Sequence, residues 1–103
     1  MAFDVSVAPA VIDYLRSRDY LTEWDRERLI DGVRDELSKT ADAFLARSPH
    51  PFFPNAFEYT FGLMTESLVF REFEFACSAE GQIYGVIEVL YAEELPPNED
   101  DES

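Results

Sequence analysis

Three prolines, Pro49, Pro51 and Pro54, stand within six positions of one another in the segment "RSPHPFFPN". No helix continues through such a segment, because each proline lacks an N–H and its ring clashes with the preceding turn. The chain is thereby divided in two, and the two parts are patterned differently. Before the prolines, apolar residues recur with helical spacing. After them, aromatic and β-branched residues run in strand-length stretches. Helices and strands segregated in this way, rather than alternated, indicate an α+β fold.

The first part opens with "FDVSV", where Phe3, Val5 and Val7 alternate with Asp4 and Ser6 at the period of a half-buried strand. Pro9 suits the first turn of a helix, where its missing N–H would have had no partner. Ala8, Val11, Ile12 and Leu15 follow at helical spacing and give a short helix one apolar stripe. A longer helix opens at Thr22, whose side chain can cap it, with Asp25 three residues on as the reciprocal capping partner. Ile30, Val33, Leu37, Ala41 and Phe44 form its apolar face, and it is expected to end near Ala46. His50, between two prolines, reads as a solvated loop histidine rather than a catalytic one.

Three strands are expected after the prolines, from "FEYTFGL", "LVFREFEFAC" and "IYGVIEVLYA", so the element order is β-α-α-β-β-β. The expected architecture is an antiparallel sheet with two N-terminal helices packed on one face. A three-residue loop at Ala79–Gly81, with Gly81 left-handed, predicts Phe75 opposite Gly85, Phe73 opposite Ile87, Arg71 opposite Val89 and Val69 opposite Tyr91. A similar loop centred on Glu66 predicts Phe57 opposite Phe75, Tyr59 opposite Phe73 and Phe61 opposite Arg71. The last strand carries apolar residues on both sides and is expected in the interior of the sheet.

At 103 residues the chain holds one hydrophobic core, expected within residues 1–92. "EELPPNEDDES", residues 93–103, reads as an acidic disordered tail. No apolar run is long enough to span a membrane and the start has no signal-peptide pattern, so a cytoplasmic location is expected. Cys77 is the only cysteine, which excludes an internal disulfide and a cysteine metal cluster. The net charge is −14, and it is unevenly spread. Residues 1–47 carry ten acids and seven bases; residues 48–103 carry twelve acids and a single base, Arg71. Nucleic acid is repelled at long range by such a chain, so direct binding to it is not expected. Solubility or adaptation to high salt explains the acidity in one way, and a basic partner explains it in another.

On the predicted register Arg71 lies on the face that the helices cover. A charge there is either paired or opens to a groove. The structural reading gives it an acid from the long helix, such as Glu36, or an aromatic platform on Phe61 or Tyr59. The functional reading makes it a cation that binds phosphate or carboxylate. The other face is expected to set Glu58 across from Glu74 and Glu72 across from Glu88, although like charges directly opposed destabilise a sheet. Screening by solvent, a basic peptide or helix laid over the four glutamates, and a bridging hard cation are the three ways to reconcile them. No phosphate loop, nucleophile elbow, histidine pair or cysteine pair is present, and no metal site or cofactor is expected.

The order strand, short helix, long capped helix and three antiparallel strands resembles the RelE/ParE toxin superfamily. "FDVSVAPAVIDYLRS" is similar to the family's opening strand and first helix. "LVFREFEF" followed by "IYGVIEVLYAEE" is similar to its final hairpin, where an aromatic-arginine pair precedes the last strand. The resemblance extends over residues 3–92. In the ribonuclease branch, it implies Arg71 as the cation that stabilises phosphate and Tyr91 as an acid or base acting on ribosome-bound messenger RNA. That branch usually supplies several basic residues and a basic C-terminal segment; here Arg71 stands alone in its half and the end is acidic. The resemblance therefore implies a toxin-antitoxin-type protein that works by protein binding, its partner a basic protein or an antitoxin-like peptide on the acidic sheet face. An mRNA endonuclease using Arg71 and Tyr91 is the alternative, and an acidic mimic of nucleic acid is a third.

Overall fold

The computed structural model describes residues 2–45 and 48–96. The chain runs β1 (Asp4–Val7), α1 (Pro9–Arg16), α2 (Glu23–Thr40), a single helical turn α3 (Asp42–Leu45), β2 (Ala56–Met64), β3 (Phe70–Ser78), a 3-10 turn (Gln82–Tyr84) and β4 (Val86–Glu94). The fold is α+β, with the helices packed on one face of a four-stranded sheet ordered β1-β4-β3-β2. Strands β2, β3 and β4 are antiparallel neighbours, and β1 joins the sheet parallel to β4. β4 is interior, as its two-sided apolar pattern predicts. No helix among the described residues is long and apolar enough to cross a membrane.

Pro9 stands in the first turn of α1, and Val11 and Leu15 point its stripe into the core. α2 starts from a complete capping box: the Asp25 N–H donates to Thr22 Oγ1 at 3.1 Å, and the Thr22 N–H donates to Asp25 Oδ2 at 3.0 Å. Its buried face is Leu29, Val33 and Leu37, with Ile30 at the margin. α2 stops at Thr40, short of the expected end near Ala46, which lies outside the described residues. Gly32 is kept without a side chain by close packing, since a Cβ there would run into the Phe61 ring. Phe57, Tyr59, Phe73 and Phe75 fill the space between α2 and the sheet. Each such ring stabilises the fold by roughly 1.5–3 kcal/mol through removal from water.

The two hairpins depart from the predicted register in different ways. Between β2 and β3 the three-residue turn is centred on Ser67 rather than Glu66 and closed by Thr65 and Val69, so Tyr59 pairs with Phe75 and Leu63 with Arg71. That is a slip of two residues, and a slip of two leaves every side chain on its expected face. Between β3 and β4 the loop runs from Ala79 to Gly85, and Gly85, not Gly81, is left-handed, with φ 77°. Phe75 consequently pairs with Ala92 instead of Gly85, and Phe73 with Glu94 instead of Ile87. A β-bulge adds a second change. Ala76 pairs with Tyr91 while Cys77 pairs with Val89, which leaves Leu90 as the extra residue. The bulge reverses the alternation of β4, so that Ile87, Val89, Ala92 and Glu94 face the helices while Tyr91 and Glu93 face away. Strand β4 runs through Glu94, two residues into the stretch assigned to the tail; residues 97–103 lie outside the described residues.

Candidate functional site

The longer hairpin gives Arg71 a partner that its expected register did not. Arg71 Nη1 donates to Glu94 Oε2 at 2.8 Å, and the guanidinium lies 3.8 Å from the centre of the Tyr20 ring. Both charged side chains are largely covered, 28% and 17% exposed. Neither Glu36 nor Phe61 nor Tyr59 plays the role expected for it, because Tyr59 donates its hydroxyl hydrogen bond to Glu36. Burial and that carboxylate together hold the Tyr59 phenol well above its ordinary range. Tyr20 lies in the loop between α1 and α2, and nothing in the spacing of residues marks it as a neighbour of β3.

The Arg71 side chain opens on a crevice of about 540 Å³ beside the end of α1. Arg18 lines the same crevice, with its guanidinium 4.8 Å from the centre of the Tyr14 ring. The Tyr14 hydroxyl in turn accepts the Glu94 N–H at 2.7 Å. Burial raises the Glu94 carboxyl above its ordinary value, and the Arg18 guanidinium works against that rise. Tyr91 borders this crevice, but its ring belongs to the other face, where it packs on Phe53 at 5.5 Å. The expectation that Arg71 and Tyr91 share a face is thus corrected, and the bulge at Leu90 is the reason.

The outer face carries a second concavity, of about 560 Å³. Its roof is the proline segment, tied to the edge of β2 by Glu58 N–H to Ser48 O at 2.6 Å and His50 N–H to Ala56 O at 2.9 Å. The Phe52 N–H donates to His50 Nδ1 at 3.1 Å, which fixes the imidazole and leaves Nε2 as its other nitrogen. His50 meets Phe53 edge-on at 5.0 Å, and Phe53 meets Tyr91, so three rings line one side of the cleft. Glu58, Glu74 and Glu93 line the other. Phe52 stands at the rim, 84% exposed.

The pairings among the glutamates differ from those predicted. Glu74 is directly opposite Glu93, with Glu58, opposite Ala76, as its diagonal neighbour. Glu72 lies opposite Gly62 and Glu88 opposite Ser78, so those two carboxylates do not face each other. The structure therefore brings together Glu58 and Glu74 of the four expected binding residues, and adds Glu93 and His50. Burial raises the Glu74 carboxyl above its ordinary value, followed by a hydrogen bond and charge repulsion from Glu58; His50 acts in the opposite direction, and Glu93 adds to the rise. Among the described residues no group of three or more His, Cys, Asp or Glu side chains is arranged to hold a metal ion. Cys77 is buried against the core, which pushes its thiol up to about 12 and leaves it unreactive.

Three carboxylates beside a row of contacting aromatic rings form a surface suited to a guanidinium or ammonium group, which gains from both. Comparison with protein-family models, with curated proteins and with solved structures gives no match to this chain.

Proposed function

We propose that this chain is a toxin-antitoxin-type protein of RelE/ParE likeness that acts in the cytoplasm by binding a basic protein segment, without cleaving RNA. The observation that carries the reading is the outer cleft, where Glu58, Glu74 and Glu93 converge opposite His50, Phe53 and Tyr91. An arginine or lysine inserted there neutralises carboxylates that otherwise repel one another, and its flat or methylene surface lies on the rings. The exposed Phe52 beside the cleft offers an apolar contact for the residue next to that cation. Long-range attraction comes from a net charge of −14.

The same geometry weighs against a ribonuclease site. Arg71 is held by Glu94 and Tyr20, and the ring of Tyr91 lies across the sheet from it. In-line attack by a 2′-hydroxyl needs cation and proton carrier on the same phosphate.

Titration of the protein with an arginine- and lysine-rich peptide tests the proposal. Binding is expected at low salt, about tenfold weaker in the Glu58→Gln/Glu74→Gln double variant and unchanged in Arg71→Ala. A peptide that binds the double variant as well as the wild type discards the cleft. RNA cleavage that Arg71→Ala abolishes would put the endonuclease reading in its place.

A further inference from the structure

The two edges of the sheet are protected unequally. β1 is four residues long, carries the charged Asp4, and is followed back to α2 by a hydrogen bond from the Phe3 N–H to Ser38 O at 2.9 Å. β2 is nine residues long and is covered only at its start, by Ser48 to His50. Beyond that cover, Thr60 and Gly62 turn their N–H and C=O groups outward with no partner among the described residues. At the far end the Met64 carbonyl accepts only a long hydrogen bond, 3.4 Å, from Arg28. Tyr59 to Thr65 holds no charged residue and no proline, two of the devices by which edge strands avoid pairing.

An apolar patch continues this edge around the β2–β3 turn. Met64 is 48% exposed, Phe70 58% and Leu68 80%. Leu68 also holds a left-handed backbone, φ 66°, a conformation that suits glycine or asparagine far better than leucine. Trp24 and Val69 lie at the same end, which α2 joins through the Glu66 N–H bond to Asp25 Oδ1 and the Arg28 bond to Met64. Together these side chains leave roughly 500 Å² of apolar surface in water, the upper range for a monomer.

We propose that this end of the molecule is a self-association surface, on which the β2 edge of a second copy pairs antiparallel with the first. Edge-to-edge pairing about a two-fold axis is self-complementary: the outward groups of Thr60 and Gly62 in each copy meet their counterparts in the other. Strand edge and apolar patch together approach the ~800 Å² per partner of a stable interface. Charge selects the occupant. Each copy carries −14, so two copies approach most easily where the strand presents no carboxylate. Tyr59 to Thr65 itself carries no charge to hold a basic segment, the carboxylates of Glu72 and Glu74 belonging to the next strand inward, β3. The dimer is independent of the outer cleft, and salt acts on the two in opposite directions. Screening weakens capture of a basic segment and strengthens pairing of like-charged copies.

Sedimentation equilibrium of the wild type at low and high salt tests this, beside Thr60→Pro and Leu68→Gly. A proline at position 60 removes an outward N–H and is tolerated by an edge strand; glycine at 68 relieves the left-handed backbone while deleting the apolar tip. Expected is a dimer whose dissociation constant tightens about tenfold from about 0.1 M to about 1 M salt. Thr60→Pro is expected to be monomeric throughout with an unchanged circular dichroism spectrum, and Leu68→Gly to dimerise at least about tenfold more weakly. A wild type monomeric at both salts overturns the proposal, as does a dimer that salt dissolves. A dimer equally tight in folded Thr60→Pro, or in Leu68→Gly should the proline variant not fold, overturns it too.

Discussion

The two faces of the sheet treat charge in opposite ways. Under the helices, Asp25, Glu36 and Arg71 each find partners within the chain, although Arg18 Nε is buried without a hydrogen bond among the described residues. Asp25, 1% exposed, accepts from the Thr22 and Glu66 backbones; Glu36 receives the Tyr59 hydroxyl; Arg71 has Glu94 and the Tyr20 ring. On the outer face, Glu74 sits between Glu58 and Glu93; burial and then both of these raise its carboxyl, while His50 acts in the opposite direction. A group whose needs are met inside the chain serves the fold, whereas groups that repel one another in an open cleft have something to gain from a partner. That difference is what supports placing the proposed binding function on the face without helices.

Substitutions on the matched face should cost stability and leave binding alone. Asp25→Ala carries the largest expected effect, about 2–4 kcal/mol by urea denaturation, since it removes the carboxylate half of the α2 capping box and leaves the Thr22 and Glu66 N–H groups without their acceptor at once. Arg71→Ala is expected to cost less, about 1–2 kcal/mol, because solvent still reaches the pair with Glu94 and screens it. Affinity for a basic peptide should be unchanged in both variants once folded. A loss of affinity in Arg71→Ala with stability intact would break the contrast between the faces.

The unmatched face should behave the other way. Glu74→Gln is expected to change stability by no more than about 0.5 kcal/mol at neutral pH while weakening peptide binding several-fold. It should also alter the pH dependence. The folded protein holds a proton on Glu74 above the ordinary carboxyl value of 4.5, where the unfolded chain has lost it. Stability from this carboxyl is therefore fully present below that value and is lost as pH rises through the raised one. Thermal unfolding from about pH 4 to 7 should show a smaller loss with rising pH in Glu74→Gln than in the wild type. Glu94, also raised by burial, keeps its part of that slope in the variant.

Much of the fold was legible because local chemistry announces it. The Thr22–Asp25 box, Pro9 in a first turn and the three prolines at 49, 51 and 54 each have a local physical meaning, and the helices and strands follow from them. The register of the last hairpin was not legible. A loop from Ala79 to Gly85 and a bulge at Leu90 depend on how β4 packs between β1 and β3, which no short-range pattern encodes. Everything distinctive about the site follows from those two features. They bring Glu94 to Arg71, carry Tyr91 to the outer face and seat Glu93 opposite Glu74. Glu93 and Glu94 looked like the start of a tail because Pro96 and Pro97 follow them. His50 was read as a solvated loop residue, since its neighbours in the cleft come from β2, β3 and β4.

The most direct test is an NMR titration of isotope-labelled protein with an arginine- and lysine-rich peptide, reading side chains on both faces. Shifts are expected to concentrate on Phe53, Tyr91, Glu58, Glu74 and Glu93, to spare Tyr20 and Arg71, and to fade at about 1 M salt. Shifts centred on Arg71 and Arg18, or none anywhere at low salt, would contradict the assignment of function to the outer face.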